Sequence, residues 1–214
     1  MIWRLALALP VLLAPQAQAQ VLIPVPPTEA GADSRTPIAG FSISSGLRLA
    51  ADGAEQWHSN AEQLSKVFPA AHQDRMRKAY LQSKDVFVQI EQRLGWPRND
   101  VAGAMAAFIV GNYMVMRGVE VSDAHTQALA EQLAAQPDML ARLGAQTPQA
   151  LRGLYEQCAM VGTFMALAQL SQKANPQPAA QQQHLRDAAR ANLQRVLGRD
   201  PERLSLGPNG LVWQ

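Results

Sequence analysis

Cysteine, net charge and long apolar runs are all scarce in this sequence, and each shortage removes a class of protein. Cys158 is the only cysteine among 214 residues. A lone thiol cannot close a disulfide within the chain. It lies in the run Cys158-Ala159-Met160-Val161-Gly162, which offers neither a base nor a polar surround. It therefore reads as a small buried hydrophobe rather than a nucleophile. Lysine and arginine number 19 against 17 aspartate and glutamate, for a formal charge of +2. The two signs are scattered along the chain, so no basic field is available for nucleic acid. The run from Val101 to Met116 would form a helix of about 24 Å, against a hydrocarbon core of about 30 Å. A short all-round apolar helix of this kind belongs at the centre of a soluble bundle.

Catalytic signatures are scarce as well. The sequence contains no His-Glu-x-x-His zinc motif, phosphate loop, dinucleotide fingerprint or Gly-x-Ser-x-Gly elbow. Glu55-Gln56-Trp57-His58 has the Glu-x-x-His spacing of helical di-iron sites, but those sites need a second copy and further carboxylates on facing helices. His72, His125 and His184 stand far apart. These residues indicate no catalytic group, no cofactor and no metal.

What is present begins with a leader. Arg4 supplies a positive start, Leu5 to Ala14 an apolar segment, and Ala17-Gln18-Ala19 the small-x-small pattern of signal peptidase. Ten apolar residues reach about 15 Å, too short for a retained anchor. Cleavage is expected between Ala19 and Gln20, which places the mature chain in the periplasm or outside the cell with no stable membrane span. Residues 20–53 follow as a proline- and glycine-rich arm (Pro24, Pro26, Pro27, Pro37, Gly31, Gly40, Gly46, Gly53) that reads as disordered.

Residues 54–214 read as an all-α domain, a bundle of about five to six helices. Helical periodicity marks 55–67 and 70–94, the latter with Met76, Tyr80, Phe87, Ile90 and Leu94 on one face. Asn99 and Asp100 open the next helix: Asn99 can cap its free N–H groups, and Asp100, at the positive end of its dipole, reads as a capping residue rather than a general acid or base. A helix over 122–136 and a connector turn carrying Leu140 and Leu143 lead to Thr147-Pro148, a cap and first position for a helix running to about Lys173. A last helix covers 178–198. Beyond it, Asp200-Pro201-Glu202 suits a helical turn, while residues 204–213 alternatively suit a small hairpin.

Two helices stand out as central. Gly103, Ala107 and Gly111 recur every fourth residue on one, and Cys158, Gly162 and Ala166 on the other. Such smooth stripes predict that the helices at 100–117 and 149–173 are neighbours. Asn112 and Tyr113 interrupt the first of them, either as a core amide bonded to a neighbouring helix or as polar contacts in a ligand pocket.

The stretches RLGWPRNDVAGAMAAFIVGNY (93–113) and ANLQRVLGRDPERLSLGPNGL (191–211) resemble a family of exported bacterial α-helical proteins of unknown function. The resemblance covers about residues 60–211 and implies a helical secreted domain of bacterial source, without an activity. Three function classes remain. The first is a non-catalytic envelope or secreted protein acting through contacts with another protein. The others are a carrier of an apolar or lipid-like ligand and an enzyme whose active residues only folding assembles.

Overall fold

In the computed structural model, which describes residues 48–50 and 53–214, the two most apolar helices form the spine. These are α3 (Val101–Arg117) and α6 (Pro148–Ala174). Asp100 accepts the Ala102 N–H at 3.2 Å to start α3, and Gly118 ends it in the left-handed region at φ 67°. Thr147 accepts the Ala150 N–H at 3.2 Å to start α6, with Pro148 in the first turn. In α3 only Met105, Tyr113 and Arg117 escape full burial, and α6 is buried without a break from Tyr155 to Ala168.

The spine is close-packed at glycine. A methyl group on Gly111 would overlap the Gly162 carbonyl, and one on Gly162 would overlap the Ala107 carbonyl and the Phe108 Cα. Here backbone meets backbone. Asn99 lies beside Arg152 at the start of both helices, and Gly111 beside Gly162 midway, so the two run parallel. The predicted adjacency holds, with one correction. Gly103 does not belong to this contact, because a Cβ there would strike the Trp96 indole at 2.8 Å.

The remaining elements cover the spine on both sides. Helices α1 (Trp57–Ser65) and α2 (Ala70–Leu94) pack on α6; α4 (Asp123–Ala134) and α7 (Ala179–Leu197) pack on α3. Between α4 and α6, residues expected to form a connector turn instead form α5 (Pro137–Gly144), seated by half-buried Met139, Leu140 and Leu143. With Pro137 in its first turn and Asp138 beside it, this segment carries good helix-start chemistry. The described residues thus hold seven helices. None is long and apolar enough to cross a membrane.

At the C-terminus the two alternatives coexist. Asp200 caps a 3-10 turn at Pro201–Arg203, and strands β1 (Leu204–Gly207) and β2 (Gly210–Trp213) pair antiparallel behind it. The hairpin is tied down by side chains. Gln132 of α4 donates to the Leu211 carbonyl at 2.9 Å and accepts the Leu211 N–H at 2.8 Å, satisfying the outer edge of β2 as a neighbouring strand would. Arg117 and Arg190 both bind the Glu202 carboxylate. Trp213 stays half-buried, with the Arg199 guanidinium over its ring at 5.4 Å.

Gly162→Ala should destabilise the fold by about 3 kcal/mol or more, at or above the usual overpacking range, because the atoms in its way are backbone. Urea unfolding measures this, and an unchanged midpoint would refute the contact. Gln132→Leu leaves two backbone groups of β2 without partners, for an expected loss of about 1–3 kcal/mol. From sequence Gln132 reads as a half-solvated position where substitution does little. If the loss is under half a kilocalorie, that simpler reading stands.

Candidate functional site

Buried charge gathers in one place, where α2 turns into α3. Gly95 ends α2 at φ 67°, and the chain reaches Asp100 through Trp96, Pro97, Arg98 and Asn99. Asn99 takes φ 63°, a left-handed conformation that asparagine tolerates better than most residues. The sequence offers both Asn99 and Asp100 for the helix cap. The structure gives that role to Asp100 and uses Asn99 to make the turn.

In that conformation Asn99 presents two acceptors in two directions. Its carbonyl accepts the Leu49 N–H at 3.1 Å. Its side-chain Oδ1 accepts from Arg152 Nη1 at 3.1 Å. Arg152 also donates Nη2 to the Ala50 carbonyl at 2.7 Å, and Arg48 pairs with Asp100 in an isolated antiparallel bridge. Leu49 is buried. The last residues of the proline- and glycine-rich arm are therefore docked on the bundle. The arm from residue 20 to 47, and the expected cleavage point at Ala19 and Gln20, lie outside the described residues.

The first turns of α6 supply the rest of the site. The Tyr155 hydroxyl donates to Glu91 Oε1 at 2.8 Å, its ring held edge-on between Trp57 (5.7 Å) and Phe87 (5.9 Å). Glu156, fully buried, accepts the Gln56 N–H at 2.9 and 3.1 Å and Asn60 Nδ2 at 2.9 Å. Asn60 in turn accepts from Gln157 Nε2 at 3.0 Å. One stripe of α6 thus holds α1, α2, the Asn99 turn and residues 48–50 together.

Burial dominates the proton affinities here. It pushes Glu91 up to about 7, and nearby Asp100 adds to the rise. The Tyr155 hydroxyl, Arg98 and the Asn99 N–H oppose it. Burial also raises Glu156, against the pull of the Gln56 N–H, Asn60 and Arg152, and raises Asp100 against the N–H groups of Ala102 and Gly103 and the charge of Arg48. Glu91 is 4% exposed and its carboxyl accepts the Tyr155 hydroxyl.

Other residues singled out from sequence fall elsewhere. Glu55 and His58 are exposed on the rim of an open cleft of about 550 Å³, shared with Trp57, Leu81, Lys84 and Asp85. Lys84 sits 6.0 Å from the Trp57 ring centre and pairs with Asp85 at 3.2 Å. His72, His125 and His184 lie on α2, α4 and α7. Among the described residues no three His, Cys, Asp or Glu side chains come together in a group that could hold a metal ion. Asn112 is core: it donates to the Phe108 carbonyl at 2.8 Å and accepts from Asn192 Nδ2 at 2.9 Å. Tyr113 beside it is half-buried. Cys158 is buried, its thiol pushed up to about 12 by desolvation.

Glu91, Arg152 and Glu156 belong to no motif and were missed in the sequence. A signal was available, since Arg152 and Glu156 stand four apart just ahead of the apolar run that begins at Cys158, which puts opposite charges on one face. Glu156→Ala should cost about 3 kcal/mol, since it strands the Gln56 and Asn60 donors in the interior. Hydrogen exchange should show α1 loosening first. Equal loss of protection in α1 and α7 would mean that Glu156 is not specific to this junction.

No curated protein and no solved structure matches this chain significantly. A family profile does, over residues 54–214, the helical body from just before the Glu156-bound Gln56 to the end of the hairpin. The chain belongs to the family of unknown function DUF6683.

Proposed function

We propose that the chain is exported and acts outside the cytoplasm, in the periplasm or beyond, through contact with another protein. The arm of residues 20–47 is the contacting element and the helical body is its mount. The observation that carries this reading is the docking of residues 48–50. Two hydrogen bonds, Leu49 N–H to the Asn99 carbonyl and Arg152 to the Ala50 carbonyl, plus the buried Leu49 side chain, fix the root of the arm. A spacer of no consequence would not need its last residues built into the body. A segment presented to a partner gains from a fixed root, because pre-positioning lowers the ordering cost of binding. The leader, with Ala17-Gln18-Ala19 after its apolar segment, supports export.

Of the alternatives, a carrier of an apolar ligand requires room between the two central helices, and the Gly111–Gly162 contact fills that room. An enzyme reading would rest on Glu91, whose buried carboxyl would first have to be uncovered.

Export is tested by intact mass of the released protein, which should begin at Gln20, with or without cyclisation to pyroglutamate. A released form that keeps Met1 would overturn the leader assignment. Contact is tested with a photo-crosslinking residue placed in the exported protein at Phe41, and separately at exposed Asp138 of α5. Irradiation of the intact envelope should give a discrete heavier species from position 41 and none from 138. Cross-linking from 138 alone would move the contact to the body, and none from either would sink the reading.

A further inference from the structure

We propose that the chain pairs with a second copy of itself through the outer edge of β1. The two hairpins then form one four-stranded antiparallel sheet about a two-fold axis at Leu206.

The hairpin's own hydrogen bonds fix which main-chain groups face that edge. In an antiparallel pair, residues whose groups cross the ladder alternate with residues whose groups point away from it. The Gln214 N–H crosses to the Arg203 carbonyl at 2.9 Å, and Leu206 stands opposite Leu211 three positions further on. Leu204, Leu206, Leu211 and Trp213 therefore point away. Leu211 agrees, since Gln132 holds both its N–H and its carbonyl on the outer side of β2. On the β1 side Leu204 is satisfied too: its N–H bonds the Pro201 carbonyl, and its own carbonyl accepts from Arg117 at 3.3 Å. Among the described residues nothing bonds the outward N–H and carbonyl of Leu206. Its side chain is only half-buried against the core. Neither a charge nor a proline guards the strand Leu204-Ser205-Leu206-Gly207.

A second copy matches this edge residue for residue. Two β1 strands related by a two-fold axis at Leu206 exchange both bonds between the two Leu206 residues, so neither keeps an open group. That register sets Leu204 of one copy opposite Pro208 of the other. Pro208 has no N–H to donate, and the Leu204 carbonyl needs none because Arg117 already supplies it. An ordinary extended segment would bring an N–H to that filled position. The two Leu206 side chains come side by side on one face, an apolar cross-strand pair. Pairing also stops at two copies. Once both β1 edges are used, the sheet ends at two β2 edges, and Gln132 occupies each at Leu211. The result is a closed dimer and not a fibre. An edge of four residues buries far less than the roughly 1,200 Å² of a standard interface, so the association is weak and reversible.

The contact involves neither residues 20–47 nor another protein, so its failure leaves the proposed contact of the arm untouched. Sedimentation equilibrium of the purified mature chain from about 10 μM to about 1 mM should show the mean mass rising from one chain towards two and no further, with a dissociation constant on the order of 100 μM. Amide exchange then identifies the surface. The Leu206 amide should exchange freely in dilute solution and slow about fivefold at the highest concentration, where most chains are paired. The Leu211 amide, held by Gln132, should be protected throughout. Leu206→Pro removes the outward N–H and spares every bond between β1 and β2, so its mass should stay that of one chain. A constant mass with an open Leu206 amide overturns the proposal and leaves the edge to a different protein. Leu206 protection that does not change with concentration overturns it as well, because the chain would then cover its own edge. Association without a change at Leu206, or undiminished in Leu206→Pro, moves the contact to another surface. Should Leu206→Pro lose the hairpin, seen as loss of Leu211 protection, the exchange comparison in the natural chain decides alone.

Discussion

Everything in this fold depends on two helices approaching until their backbones touch. Ordinary side chains hold helix axes about 8–10 Å apart. At Gly111 and Gly162 there is no side chain, and the carbonyl of one helix lies where the other would carry a Cβ. The approach increases dispersion contacts along both chains. It also fixes register, since only glycine opposite glycine permits it. Parallel helices in fixed register have aligned starts, and that alignment sets the first turns of α6 beside the turn that opens α3. Arg152 meets Asn99 as a consequence.

That meeting explains why the bundle tolerates so much buried charge at one end. Taking Glu91, Arg152 and Glu156 out of water is expensive, and their mutual attraction alone would not offset the loss. Each is instead supplied with hydrogen bonds: Tyr155 for Glu91, Asn99 and Ala50 for Arg152, Gln56 and Asn60 for Glu156. Several of those partners come from segments with little else to hold them. Residues 48–50 and the start of α1 are recruited because they satisfy groups that the spine has already buried. Rigid apolar packing in the middle and a polar junction at the end are therefore one design, with the first setting the geometry of the second.

The elements governed by periodicity and caps were legible from the residues. Two small-residue stripes predicted the spine, and Thr147-Pro148 marked a boundary that the structure keeps. Where legibility failed, the deciding interaction was long-range. Asn99 and Asp100 are both good caps, and the choice between them follows from Arg152 and Leu49 pulling Asn99 into a left-handed turn. Gly103 shares the spacing of Gly111 but serves Trp96, whose folding-back no local pattern announces. Gln132 is an ordinary polar residue on a half-solvated helix until a hairpin 79 positions away lays an edge against it. At residues 137–144 the cause was local: apolar spacing too brief to trust was still enough, with Pro137 and Asp138, to close two helical turns.

The junction itself was legible only as an anomaly. Arg152 and Glu156 on an apolar helix cannot be left unsatisfied, so their presence implies polar partners arriving from elsewhere in the chain. Sequence cannot name those partners, and the arm was the least eligible segment because proline and glycine leave it little to bury. Yet docking residues 48–50 takes only one leucine side chain and two main-chain groups, which glycine-rich surroundings do not prevent. A segment with poor intrinsic order can thus be fixed at one point by a body that requires its backbone. In this chain the requirement comes from Asn99 and Arg152, and the position of the arm's root on the bundle is decided by the helix register that brought them together.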